Sequence, residues 1–437
     1  MPTPFAELKP LQPLMDACVH CGFCLPACPS YLLLGQEMDS PRGRIYSMRA
    51  GVDARTTLTP SVVAHFDTCL GCMACETACP SGVKYAPLIE QTRATIAHHH
   101  RRPFGERWFR RLVFALLPYP GRLRLLAGPF AIGRAIRRSP LLLQLLPRTW
   151  RHLIALAPSG PMTASEVAER TPAAGSTRLR VGLVTGCVQR VFFSDVNQAT
   201  ARVLAAEGCE VFAPESQGCC GALALHAGED EDARQFARHL IEAFEKAPVD
   251  VIATNAAGCG SALKDYGRLL GQDPVWAARA RDFASKVRDI TEVLAGFDQA
   301  RAPRHPLPLR VAYHDACHLA HAQGIRRQPR DLLASIPGLT IVPLAENDVC
   351  CGSAGIFNLV QPELAAVLGD RKAGHIRDAA PDVVVTSNPG CILQIRAAAE
   401  RAGQSTRVLH IVEILDASIR GTTLQSGRPR DRMASLP

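Results

Sequence analysis

The clearest rhythm lies in the second half of the chain. Short apolar, β-branched runs alternate there with longer amphipathic stretches. Residues 181–185 and 310–313 have the length and character of buried strands, and 210–212, 340–343, 249–254 and 382–386 follow in the same style. Helical periodicity fills the gaps, as at 196–207. Strand–helix alternation of this kind predicts an α/β class with parallel sheets flanked by helices.

The pattern occurs twice. LRVGLVTGC (ending at Cys187), QGCC (219–220) and NAAGC (259) return as LRVAYHDAC (317), DVCC (350–351) and SNPGC (391), offset by 130, 131 and 132 residues. Steady spacing predicts two copies of one module, at 179–300 and 301–420. Before them, residues 1–100 hold two cysteine runs and predict an α-helical, ferredoxin-like domain. Residues 101–178 form a basic, apolar helical connector whose end (158–178), rich in Pro, Ser, Thr and Ala, reads as a linker. Residues 421–437 read as a loose tail.

Composition adds two things. The chain has 437 residues, 47% apolar and 20% charged, as in a soluble globular protein of two or three units. Its net charge of +9 is local: residues 101–157 carry twelve Arg against Glu106 alone, so the remainder is slightly acidic. The connector is too broken by Pro and Gly to span a bilayer. A basic amphipathic segment predicts either contact with an anionic membrane surface or docking on an acidic partner. No groove-reading motif accompanies the charge, so nucleic acid is not an expected partner.

Seventeen cysteines are many for a chain without a secretory signal pattern, and all but Cys209 fall into patterned groups. Cysteines in a reducing compartment are metal ligands more often than disulfides. Cys18, Cys21, Cys24 and Cys28, then Cys69, Cys72, Cys75 and Cys79, both follow C-x2-C-x2-C-x3-C-P. Three thiolates at three-residue steps wrap three corners of a cubane. The fourth points away, at the start of a helix, to the cluster of the other run. Cluster A is therefore assigned to Cys18, Cys21, Cys24 and Cys79, and cluster B to Cys69, Cys72, Cys75 and Cys28, giving two [4Fe–4S] clusters. Zinc prefers two separated C-x2-C pairs, which this pattern is not. Arg42 and Arg44, between the runs, are candidates for placing positive charge near a cluster or for docking a partner.

Each later repeat offers four thiols: Cys187, Cys219, Cys220 and Cys259, then Cys317, Cys350, Cys351 and Cys391. They follow predicted strands, where open parallel sheets place ligands. Glycine after each Cys-Cys allows close backbone approach. These are candidate sites for a further cluster or for zinc. The second repeat also carries His314 and His318 around Cys317, in His314-Asp-Ala-Cys317-His318, while the first carries Thr185-Gly-Cys187-Val188. Both histidines are candidate catalytic groups, as metal ligands or proton donors.

The repeats resemble the CCG-domain family, which includes heterodisulfide reductase catalytic subunits and iron–sulfur subunits of 2-hydroxy-acid dehydrogenases. In that family the motif ends in C-x-x-C and holds a noncubane cluster. Here Ala262 and Gln394 stand where the last cysteine would be, leaving four thiols per repeat instead of five. The overall order, with DACVHCGFCLPACPSYLLLGQEMDSPRGRIY and CETACPSGVKY, is similar to the iron–sulfur subunits of bacterial glycolate oxidases over residues 10–420. The resemblance implies electron transfer in a complex with FAD-containing subunits, toward the respiratory chain and a membrane quinone. It also implies a cytoplasmic location, peripheral on the inner face of the membrane. D-lactate or glycerol-3-phosphate dehydrogenase, or a disulfide or quinone reductase acting at the CCG site, are the alternatives. The chain has no Gly-rich dinucleotide loop or P-loop, so oxidation of the acid is expected on a flavoprotein partner.

Overall fold

The computed structural model describes residues 3–137, 139–145, 151, 154–155 and 166–424. Part of the expected linker (158–165) and most of the expected tail (425–437) lie outside the described residues.

The N-terminal region is helical. Helix α1 (Pro41–Val52) begins at Ser40, whose hydroxyl accepts from the Gly43 amide at 3.0 Å, with Pro41 filling the first turn. Helix α2 (Tyr85–His99) packs against it across a small core of Phe5, Met48, Phe66, Leu88 and Ile89, all fully buried. Helix α3 (Phe104–Leu116) opens the connector. No helix among the described residues is long and apolar enough to cross a membrane.

Two sheets follow. The first contains β1 (Arg170–Thr171), β2 (Leu179–Val184), β3 (Cys209–Phe212), β4 (Val251–Thr254) and β5 (Val287–Asp289), in the order β1-β3-β2-β4-β5. The second contains β6 (Arg310–Tyr313), β7 (Thr340–Val342), β8 (Val383–Thr386) and β9 (Arg407–His410), in the order β7-β6-β8-β9. The α/β class holds, with two corrections. The first sheet is not purely parallel: β1, inside the expected linker, pairs antiparallel with β3. Each sheet also has a fourth parallel strand, β5 or β9, that the pattern did not announce. The central strands are apolar without alternation because helices cover both faces; all four residues of β8 are buried.

The flanking helices used below are α4 (Ser194–Ala206), α5 (Asp230–Glu245), α6 (Pro362–Ala379) and α7 (Ile411–Arg420). Helix α4 of the first repeat packs on α7 of the second, tied by Arg202 and Asp416 at 2.6 Å. One continuous apolar core runs through both repeats, from Val181 and Leu183 to Val311 and Val384. The cysteine-bearing ends of the sheets face each other: the Ala257 amide donates to the Ser387 carbonyl at 3.1 Å.

Candidate functional site: four groups of thiols

The two N-terminal loops share a backbone plan. The second residue after the first cysteine, His20 or Gly71, and the fourth, Gly22 or Met73, are all left-handed. That conformation turns amides toward the thiols: Gly71 N–H donates to Cys69 Sγ at 3.3 Å. Glycine takes it without strain, and His20 and Met73 bear a cost that the loop geometry imposes.

Cys28, Cys69, Cys72 and Cys75 line one small gap of about 20 Å³. Burial pushes Cys72 and Cys75 well above the ordinary thiol range, and the other thiols beside them add to it. Around the first loop, burial and the nearby Cys79 and Cys21 push Cys18 up. The structure thus brings Cys28 to the second run and Cys79 beside the first. One detail differs from expectation. Cys28 caps a helix (Pro29–Leu34), whereas Cys79 leads into a turn and α2 starts only at Tyr85. Four buried thiols converging on one gap fit a cationic, thiolate-ligated group, because iron would offset the repulsion that raises them. A cubane bound there supplies one-electron transfer.

Both arginines between the runs reach the loops. Arg42 donates to the His20 carbonyl at 2.9 Å and pairs with Glu37. Arg44 is fully buried and donates to the His65 carbonyl, Ser30 and Thr68 at 2.7, 3.0 and 2.9 Å. Burial alone would raise Cys69, but Arg44 and Arg93 beside it bring it below the ordinary range. Arg93 and Tyr85, both on α2, were not singled out in the sequence. Arg93 donates to the Cys69 carbonyl, and Tyr85 OH lies 3.9 Å from Cys69 Sγ. A lone Arg and Tyr on a helix carry no local signal of such a role.

In the first repeat, Cys187 and Cys219 thiols lie 3.4 Å apart. Hydrogen bonding from Cys219 and Cys259 holds Cys220 well below the ordinary range. Gly221 is left-handed, and a Cβ there would come within 3.0 Å of the Ala233 carbonyl on α5. Gly352 repeats this against Ala365 on α6, at 2.8 Å. So the glycine of each Cys-Cys-Gly lets the loop lie on its helix.

In the second repeat, ligand atoms of His314, Cys351 and Cys391 all lie within 4.8 Å of one another, buried. Neither nitrogen of His314 has a hydrogen-bond partner. Hydrogen bonds from Cys350 and Cys391 hold Cys351 well below the ordinary range, and the nearby His314 lowers it further. Val184 occupies the equivalent position in the first repeat. Gln394 takes no part, since its amide donates to the Ala365 carbonyl at 2.7 Å, and Ala262 is buried in apolar core. Cys209, outside the patterned groups, is core, with its thiol pushed up to about 11 by burial.

His318 stands apart from the His314 group. Its Nε2 lies 2.9 Å from the carbonyl of Gly71 in the second N-terminal loop. Burial lowers it to about 4, so it is neutral and Nε2–H donates. Its ring centroid is 4.8 Å from that of His226, another residue the sequence did not flag. Cys317 is close enough to Cys72 to add to the upward push on its thiol, and both belong to one apolar cluster with Cys350. The second N-terminal loop therefore rests directly on the thiol site of the second repeat.

Comparison with known proteins agrees with this layout. A family model for a 4Fe–4S dicluster domain matches residues 14–83, and one for a cysteine-rich domain matches residues 181–264 and 311–396. The chain is 38% identical, over 91% of its length and 92% of the relative's, to the probable glycolate oxidase iron–sulfur subunit of Bacillus subtilis (strain 168). It is 33% identical, over 93% and 94%, to the glycolate oxidase iron–sulfur subunit of Escherichia coli (strain K12). The chain belongs to the family of glycolate oxidase iron–sulfur subunits. Membership in that family makes it one subunit of an enzyme complex, with partner subunits. Lactate utilization protein A of Exiguobacterium sp. (strain ATCC BAA-1283 / AT1b) matches a smaller part, 32% identical over 55% of this chain and 98% of its own.

Proposed function

We propose that this iron–sulfur subunit relays electrons from an FAD-containing partner, which oxidises glycolate, toward a membrane quinone. The observation that carries the reading is the seat of the second N-terminal loop on the second repeat, through Gly71–His318 and Cys72–Cys317. It places two thiol sites in series, as a relay requires. Cys18, Cys21, Cys24 and Cys79 would hold one cluster, and Cys69, Cys72, Cys75 and Cys28 the other. In the second repeat, His314 joins Cys317, Cys350, Cys351 and Cys391 as the donor set for a further cluster or for zinc. In the first repeat, Cys187, Cys219, Cys220 and Cys259 stand alone. A peripheral location on the inner face of the cytoplasmic membrane is supported by α3, which exposes Phe104 and Trp108 together with Arg107 and Arg111.

The test is anaerobic co-purification with flavoprotein subunits, followed by addition of glycolate. Bleaching of the flavin and appearance of reduced-cluster signals are expected. D-lactate is the second acid to test, since the lactate utilization relatives match about half of the chain. Iron analysis separates the repeat sites: about eight irons means only the N-terminal clusters, about twelve means one more.

A further inference from the structure

A cavity of about 470 Å³ lies between the connector and the two repeats. Phe109, Val113 and Leu116 of α3 form one wall. Cys220 and Cys259 of the first repeat form another, and Cys317 with His318 of the second repeat a third. The lining is mainly apolar. Its size falls in the range of small-molecule pockets, ~300–1,000 Å³. The thiols of Cys187, Cys219, Cys220, Cys259 and Cys317 occupy part of its wall, and most of the rest is apolar side chains that neither iron nor sulfide would bind.

Two polar groups in this wall lack partners. Gln189, 3% exposed, presents a buried side-chain oxygen with no hydrogen-bond partner, and so does Nε2 of His226. On its other side, His226 faces Glu90, 3.6 Å from Nδ1. Unpartnered buried polar atoms are costly unless a ligand satisfies them. The helix that closes the cavity is the one with exposed Phe104 (76%), Trp108 (58%) and Leu112 (38%) beside Arg107 and Arg111. A ligand held here meets redox-type thiols, two hydrogen-bonding atoms and apolar walls, and one of those walls belongs to a helix whose other residues form a surface suited to a membrane.

We propose that this cavity binds the ring and first tail segment of a lipophilic quinone. One ring oxygen would meet Nε2 of His226, and a hydroxyl of the reduced form would donate to Oε1 of Gln189, while α3 covers the tail. Two electrons, taken by the partner from the hydroxy acid, and two protons from solvent convert both carbonyls to hydroxyls. The assignment rests on the electron-relay reading above but is tested separately from it.

The experiment titrates a benzoquinone with a decyl tail into the full-length, anaerobically cluster-loaded chain, by calorimetry, without partner or glycolate. One saturable site is expected. Leu116→Trp, on the connector wall, and Leu359→Trp, on the opposite wall, should each weaken binding by about tenfold or more, at unchanged iron content and helicity. His226→Leu should weaken it as well. Non-saturable uptake, affinity unchanged from the parent in both Trp variants, or equal displacement by a decyl-chain fatty acid would overturn the assignment. Two variants from different walls guard against one simply failing to fold. A chain that binds its clusters but no quinone defeats only this cavity assignment; a chain that cannot hold iron defeats the relay itself.

Discussion

One guanidinium decides the electrostatics around the second set of thiols. Arg44 is 1% exposed, lies 3.6 Å from the equally buried Asp39, and donates to three further oxygens. Removing one member of a buried pair strands the other, at a typical cost of about 3–5 kcal/mol. Arg44→Met should therefore lose stability of that order in denaturant titrations. It should also move one of the two cluster potentials downward, because positive charge near a thiolate-ligated centre favours the reduced state. Equal shifts in both clusters, or none, would show that Arg44 serves only the fold. Arg42→Ala is the contrasting case. Its pair with Glu37 is substantially solvated, and its loss should cost about 0–1 kcal/mol. The sequence put both arginines between the cysteine runs but could not rank them, because burial depends on how α1 packs. His226 and Arg93 carried no signal at all: each acts across about 90 residues of chain or more, or through a carbonyl, and neither kind of contact leaves a local pattern.

At the level of elements, the central strands and the repeat were legible because both rest on local rules: buried parallel strands are apolar runs, and duplicated modules keep their offsets. Strands β1 and β5 were not. One has two residues and the other three, they sit at or near a sheet edge, and charged side chains interrupt them. The helix ends were legible only in part. His410 caps α7, its Nδ1 accepting from Val412 and its Nε2 lying 2.7 Å from the Asn255 carbonyl of the other repeat. Burial lowers it to about 4. A histidine whose folded value is depressed stabilises fully above its unfolded value near 6.5, and loses that contribution as pH falls toward 4. Over that window the loss is up to about 3 kcal/mol. His410→Gln should then start less stable at pH 7.5, yet lose less between pH 6.5 and 4.5 than the parent, in denaturant midpoints measured at each pH. Parallel pH profiles would remove His410 from the account. The glycines of the Cys-Cys-Gly turns make a companion case. Gly352→Ala must strain a left-handed backbone and push on the Ala365 carbonyl, costing about 1–3 kcal/mol and displacing the thiols before it.

In the whole molecule, the two repeats are similar in architecture and different in position. The N-terminal region reaches the second repeat through Thr77–His321 at 3.0 Å as well as through Gly71–His318. It reaches the first through Arg93, whose guanidinium donates to the His226 carbonyl at 2.9 Å, and through Glu90, paired with Arg268. Yet the thiols themselves meet only on one side: Cys72 neighbours Cys317, and among the described residues only the second repeat adds a histidine to its thiols. In the relay proposed above, an electron leaving the second N-terminal loop would therefore have its nearest onward site in the second repeat, with the first repeat beyond, across the apolar cavity. That ordering predicts unequal sensitivity. Cys351→Ser or His318→Ala should lower glycolate-dependent reduction of a quinone by the assembled complex about 10- to 100-fold, the range typical of groups that hold or support a metal site. Cys220→Ser, in the first repeat, should cost less, and all three should leave flavin bleaching by glycolate intact because the proposed function assigns that step to the partner. The decisive comparison is Cys351→Ser against Cys220→Ser in the same complex. Equal losses would mean that the repeats work as a symmetric pair, and the contact between Cys72 and Cys317 would then be packing without consequence for the direction of electron flow.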